Sequence, residues 1–329
     1  MKKIEIKIVM IHMMDGNPGE FSFYRESLNL EKLDLPGTGL EALYLNDAGV
    51  LALVAGVGSV NTAVSLMALG VSERFDFSQS YWLVAGVAGA NPHTCSLGSA
   101  VWVDWSVDGD LAYEVDGREL PSDWSTGIIP LGAREPYGVS TMDATLLGRC
   151  YQVFRLNPSL CAWAYELTRN VQLEQTKVAA SYNARYVKFP HTRGSPKVIR
   201  GDNLSTSRFW YGVKLNTWAE RWVERWTGGE GRFVTASMED TGTLHAIRQL
   251  ERMGWVDYNR VLLLRSTSNY TLPPPDVDLA ESLQEESIPA LECALENGFK
   301  VGSVVIANIL ENWSEYQSQI PAARPYRSL

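Results

Sequence analysis

The chain has 329 residues, 45% of them hydrophobic, and a formal net charge of -9. That is enough apolar material to bury a large α/β core. The acidic balance, with no clustered run of Lys and Arg, excludes a phosphate-backbone binder, so nucleic acid is not an expected partner.

In chain order, Met1 to Met10 alternates polar and apolar residues, and Glu5 and Lys7 interrupt what would have to be a signal-peptide core. The segment reads as a first strand. No run of eighteen or more residues is apolar throughout, so no transmembrane segment is expected. A cytoplasmic protein is the expectation, with a periplasmic or secreted one as the alternative if a signal peptide has been removed. Further buried strands are expected at Val50 to Val57, Tyr81 to Val87, Ser99 to Trp105 and Val261 to Arg265, with helical segments between several of them. The fold class is therefore α/β, a central mixed sheet flanked by helices.

Val60 to Leu69 is rich in Ala and Leu, follows Gly58-Ser59 and stops at Gly70, which predicts a strand, tight turn and helix. Trp218, Trp222 and Trp226 recur every four residues after Leu215, placing three rings on one helical face that belongs to the core or to a contact in a homo-oligomer. A helix is predicted from Thr241 to Met253, with Glu239-Asp240 at its start and Arg248 and Arg252 near its end. Ile288 to Asn312, interrupted at Gly298 and Gly302, reads as two helices on the sheet.

Several chemistries lack support. Gly56-Val57-Gly58-Ser59-Val60-Asn61 begins like a dinucleotide fingerprint, but Asn61 replaces its third glycine and Asp76 precedes the next strand instead of ending it, so no nicotinamide cofactor is expected. His12, His93, His191 and His245 show no metal-ligand spacing, and no metal is expected. Cys95, Cys150, Cys161 and Cys293 are far apart and read as free, mostly buried thiols. No serine sits in a GxSxG elbow.

What remains is polar residues at the ends of apolar strands, where open α/β sheets bind ligands. Glu239 follows Phe233 to Met238, and Asn269 follows Val261 to Leu264. Several blocks then carry a resemblance: Ala55 to Ala63, Val84 to Ala90 with its continuation Leu97-Gly98-Ser99, the Gly-Asp loop Arg200-Gly201-Asp202-Asn203, Ser237-Met238-Glu239-Asp240-Thr241, and Arg265 to Asn269. They resemble the purine nucleoside permease family, which is similar to purine nucleoside phosphorylases and methylthioadenosine nucleosidases. Asn17 to Phe21, Tyr113 to Glu119 and Arg208 to Gly212 extend the resemblance to the permease family in particular.

The resemblance implies a single nucleoside-phosphorylase-like domain over residues 1–329, with insertions around 105–235, that cleaves the N-glycosidic bond of purine nucleosides. Glu239 would accept hydrogen bonds from the ribose 2′- and 3′-hydroxyls beside Met238. Asn269 would hydrogen-bond N7 and a 6-oxo group, which favours inosine and guanosine and admits adenosine through a water relay. Asn203 and Trp210 are candidates to contact the base, and Ala88 and Gly89 lie on the base-proximal strand. In many relatives an Arg and a Ser on that strand bind phosphate, whereas here Val84 to Gly89 are apolar or glycine. Either phosphate is a co-substrate held by backbone N–H groups and an arginine such as Arg25, Arg118 or Arg134, or water is the nucleophile, oriented by Glu20 or Asp15. The resemblance favours phosphorolysis over hydrolysis by a narrow margin. The other function classes are a nucleoside-binding or transport-associated protein without catalysis, and an inactive structural protein.

Overall fold

The computed structural model describes residues 3–139, 151–275, 277–284 and 288–323. Ten strands form the main sheet: β1 (Ile8–His12), β2 (Glu31–Lys32), β3 (Leu43–Leu45), β4 (Val50–Val54), β5 (Tyr81–Ala90), β6 (Ala100–Asp108), β7 (Val153–Arg155), β8 (Val198–Ser205), β9 (Phe233–Ser237) and β10 (Val261–Tyr270). Their order is β7-β6-β8-β9-β5-β1-β4-β3-β2, and β10 pairs with both β5 and β6. The strands β6, β8, β9, β5 and β10 therefore close into a five-membered ring, with β1 and its neighbours as an extension from one side of it.

The pairing is mixed. β5 runs parallel to β1 and β10 but antiparallel to β9, and β10 runs antiparallel to β6. Every residue of β10 is buried, as is expected of a strand covered on both faces. The helices in chain order include α1 (Ser22–Ser27), α2 (Ser59–Gly70), α3 (Pro158–Thr168), α4 (Lys177–Ala184), α5 (Val213–Trp226), α6 (Asp240–Arg252), α7 (Leu279–Gln284) and α8 (Leu291–Glu311).

Three expected boundaries move. β5 and β10 run past Val87 and Arg265 to Ala90 and Tyr270, so Asn269 is inside a strand rather than beyond its end. Arg200 to Asn203, which resembles a Gly-Asp loop of the related families, is the interior of β8, where Asp202 accepts hydrogen bonds from the backbone N–H groups of Trp105 (2.9 Å) and Arg232 (2.5 Å) at a register shift. The two expected C-terminal helices are one, α8. A Cβ at Gly298 would come within 3.0 Å of Ser266 Oγ, and one at Gly302 would overlap Tyr24, so these glycines serve close packing and do not break the helix. By length and mean hydropathy α8 alone among the described residues resembles a membrane span, but Val301, Val305, Ile306 and Ile309 are buried within the main core cluster that also holds β5 and β10 residues.

Trp218 and Trp222 are each 1% exposed and pack ring to ring at 5.5 Å inside the chain's own core. They offer no surface to a partner subunit. Cys95, Cys161 and Cys293 are buried free thiols, and Cys150 lies outside the described residues.

Candidate active site

Three chain crossings meet at one end of β1, β9 and β10. The turn after β4 brings in Gly56 to Gly58, and Gly58 has φ +90°, a conformation that glycine adopts without a Cβ clash. Its N–H donates to Glu239 Oε1 at 3.2 Å. Glu239 occupies the junction between β9 and α6, where the N-terminus of a helix favours a negative charge. It is 5% exposed.

Arg265 is the centre of this region, and sequence reasoning overlooked it. It stands on β10 directly opposite Gly86 of β5. A Cβ at Gly86 would lie 2.6 Å from Arg265 Nη1 and 2.7 Å from Glu20 Oε1, so the missing side chain is the space these two charged groups occupy. Arg265 Nε donates to both carboxylate oxygens of Asp240 (3.2 Å each), and Nη2 donates to Glu239 Oε2 (3.2 Å) and to Asp240 Oδ1. Nη1 donates to the Val87 carbonyl (3.0 Å) and lies 3.9 Å from Met13 Sδ. A guanidinium has five N–H donors, and this one spends all of them inside the protein. The only available signal was a charged residue closing the apolar run Val261 to Leu264, where burial would demand partners.

Glu20 comes from the loop between β1 and α1 and is 7% exposed. Its Oε2 accepts from the N–H groups of Met13 (2.9 Å) and Met14 (3.3 Å), and Oε1 accepts from Val87 N–H (2.9 Å). Burial pushes the Glu20 carboxyl above the ordinary carboxylate range, while Arg265 and the three N–H groups pull the other way. Glu239 is raised as well, first by burial and then by the charges of Asp240 and Glu20, against the pull of Arg265 and the Gly58 N–H. For Arg265, burial opposes the charge, but Asp240 and Glu239 outweigh it and keep the side chain protonated.

Asn269 lies four residues beyond Arg265 on β10. It pairs with Gly89, which also faces Ala236 of β9, so Ala88 and Gly89 run between the two strand ends that carry Asn269 and Glu239. The Asn269 amide accepts from Ser268 Oγ (3.1 Å), donates to the Tyr270 carbonyl (3.3 Å), and borders a cleft walled by Tyr182, Phe209, Tyr211 and Tyr270. Tyr211 Oη and Ser282 Oγ of α7 are 2.7 Å apart at its edge. The cleft thus offers aromatic faces and neutral hydroxyl and amide groups, a chemistry suited to a heteroaromatic ring.

The remaining expected residues fall elsewhere. Asn203 is fully buried and donates to Ser237 Oγ and Asp240 Oδ2 (2.9 Å each) while accepting from Thr235 Oγ1 (3.0 Å), so its amide is committed to holding the α6 start, not to a base. Trp210 packs on Trp218 and Phe233, and borders a cavity of about 200 Å³ with Arg208 and Glu114, apart from the cleft at Asn269. Arg208 and Trp210 line that cavity, while Phe209 and Tyr211 line the cleft. Met238 receives the Ser59 hydroxyl on its carbonyl (3.1 Å). Asp15 and Arg25 pair with each other at 3.8 Å, both about one third exposed, and Arg118 is 89% exposed and paired with Asp116. Arg134 is exposed. His12 is buried with Nδ1 on the Ala85 carbonyl at 2.9 Å and Nε2 without a partner among the described residues, and burial pushes its pKa down to about 3. Among the described residues no cluster of His, Cys, Asp and Glu is placed to hold a metal ion.

Comparison with known proteins places this arrangement. The chain is 29% identical over 273 residues to a purine nucleoside permease of Candida albicans, covering 81% of this chain and 65% of that one. It is 29% identical over 266 residues to a probable purine nucleoside permease of Schizosaccharomyces pombe, covering 80% and 76%. The chain spans just under two thirds of the length of the Candida relatives. Its fold is similar to that of the 5′-methylthioadenosine/S-adenosylhomocysteine nucleosidase from Neisseria meningitidis, with TM-score 0.54, 16% identity, and 92% of this chain and 99% of that one covered. It is also similar to the futalosine hydrolase of Helicobacter pylori, with TM-score 0.53, 13% identity, and 92% and 98% covered. The model of the family described as "Purine nucleoside permease (NUP)" matches residues 5–321, and the chain belongs to this family.

Proposed function

We propose that the chain is a purine nucleosidase: it hydrolyses the N-glycosidic bond of purine nucleosides, with Glu20 as the general base for the attacking water. The observation that carries the reading is the pair of buried carboxylates, Glu20 and Glu239, converging on Arg265, whose donors are all used within the protein. A phosphate dianion brought here would meet two carboxylates and no spare guanidinium N–H. Arg25 and Arg118 are turned to Asp15 and Asp116. Water carries no charge to oppose, and a carboxylate is the group that takes its proton. This reverses the narrow preference for phosphorolysis that the family resemblance suggested.

In this mechanism Glu239 binds the ribose hydroxyls and adds negative charge beside the sugar as it develops oxocarbenium character. Asn269 hydrogen-bonds the departing purine from the opposite side, and the rings of the cleft, whose free space is only about 20 Å³, must part to admit the base. As water attacks C1′, the C1′–N9 bond breaks, its electron pair goes to the base, and the water's proton goes to Glu20. The fold shared with nucleosidase structures and the name borne by the permease relatives are compatible with this reading. The test is release of free purine from inosine and guanosine by the wild type and by Glu20→Gln and Glu239→Gln. Both variants should lose the activity, and full activity in either would remove that residue from the mechanism.

A further inference from the structure

The proposed mechanism draws on nothing in Tyr113 to Glu119, and on only the Phe209 and Tyr211 rings in Arg208 to Gly212. The rest of these two blocks meets at one place. Ala112–Glu114 pairs antiparallel with Ile128–Pro130, and this small sheet, the loop after β8 and α5 border the cavity of about 200 Å³. Ile128, Leu215 and the rings of Trp210 and Trp218 supply its apolar surface. Two of its polar groups are donors without acceptors. Thr126 is 5% exposed; its Oγ1 accepts from the Ile128 N–H at 3.2 Å, and its own hydroxyl hydrogen has no acceptor among the described residues. The indole N–H of Trp210 has none either. Arg208, at the rim, donates Nη1 to Glu114 Oε2 at 2.8 Å and lies with Nε 3.7 Å from Asp110 Oδ1, so one guanidinium faces two carboxylates.

We infer that this cavity is a second binding site, for a neutral fused-ring heteroaromatic base that accepts hydrogen bonds through carbonyl and ring-nitrogen atoms. Size sets the first limit. A cavity of about 150 Å³ holds benzene, and sites for drug-sized ligands begin at roughly 300 Å³, so the space takes a free base in preference to a nucleoside. The two indoles offer aromatic faces and edges to a flat ring. The Thr126 hydroxyl and the Trp210 N–H call for acceptors on it, and the surplus carboxylate at the rim opposes a phosphate or carboxylate group. The site is separate from the catalytic one. Arg208 and Trp210 line it while Phe209 and Tyr211 line the cleft, and neither Glu20 nor Glu239 borders it, so a base bound there is held and not formed. The site stands whether water or phosphate attacks the sugar.

Calorimetric titration with hypoxanthine counts the sites without using activity. The wild type should bind two molecules per chain, and Asn269→Ala should weaken the one in the cleft and leave the other. Thr126→Val keeps the side chain's shape but removes the free donor, and should weaken the second site by about fivefold. Leu215→Trp fills the cavity and should abolish it, with near-ultraviolet circular dichroism showing that each variant is folded. A wild type that binds no hypoxanthine, or one molecule only that Asn269→Ala weakens, overturns the second site even if a cavity variant fails to fold. Two sites retained in Leu215→Trp overturn it as well. A single wild-type site that Leu215→Trp abolishes and Asn269→Ala leaves unchanged supports the cavity, and removes Asn269 from base binding instead.

Discussion

Arg265 Nη2 and Glu239 Oε2 lie 3.2 Å apart, with the arginine side chain 1% and the glutamate side chain 7% exposed. An ion pair so deeply buried gains little net stability, but removing one partner leaves the other charged and unpaired. Arg265→Met should therefore destabilise the fold by about 3–5 kcal/mol, with Asp240 as the main stranded charge. Double replacement with Asp240→Asn should recover part of the loss. Urea unfolding of the single and double variants measures both.

Glu20 and Asp15 both lie on the loop after β1, but only Glu20 is buried and bonded to backbone N–H groups that aim it. Glu20→Gln should lower kcat by roughly 10²–10⁴ with little effect on KM, and Asp15→Asn should change neither by more than about threefold. Steady-state kinetics on inosine distinguishes the two.

The sign of the pH dependence of activity follows from Glu20. Its carboxyl is raised above the ordinary range by burial, and a base must be ionised to act. The acidic limb of kcat/KM should therefore fall above pH 4.5, the value of an unperturbed glutamate. A limb at or below that pH contradicts the assignment.

His12 sets a stability window of its own. It is pushed from 6.5 down to about 3 by burial, so below pH 6.5 the unfolded chain takes up a proton that the folded chain does not. Stability then falls as pH falls, by roughly 1.4 kcal/mol per pH unit between those values. His12→Phe, packed against Phe21 and Tyr24, should lose this slope. Parallel unfolding profiles for the two proteins between pH 6.5 and 4 contradict it.

In the proposed mechanism Asn269 addresses the base, and its amide would match a 6-oxopurine. Asn269→Asp should shift the kcat/KM ratio of inosine to adenosine toward adenosine by about tenfold or more, because a protonated carboxyl can donate to N7 without an amide donor for the 6-oxo group. An unchanged ratio removes Asn269 from base selection.

How far the sequence led depended on whether a residue's partners are local. Glu239 follows an apolar strand at a helix start, and Asn269 follows the apolar run that opens β10; both patterns are visible in one dimension. Gly58 could likewise be placed in a turn from its neighbours alone. Arg265 could not, since its meaning comes from Glu20, Glu239 and Asp240, which lie far from it or on other elements, and from the missing side chain at Gly86 across the strand pair. Asn203 looked like a turn residue free to bind a base, but the network of Thr235, Ser237 and Asp240 that occupies it forms only when β8 pairs with β9. Gly298 and Gly302 looked like helix breaks because nothing in the local sequence announces that Ser266 and Tyr24 need room there.

The central claim is that water, not phosphate, attacks the sugar. It is tested most directly by incubating the protein with inosine in phosphate-free buffer and in about 50 mM phosphate, and separating the sugar products. The account predicts free ribose in both, at rates equal within about twofold. Turnover that requires phosphate and yields ribose 1-phosphate would contradict it.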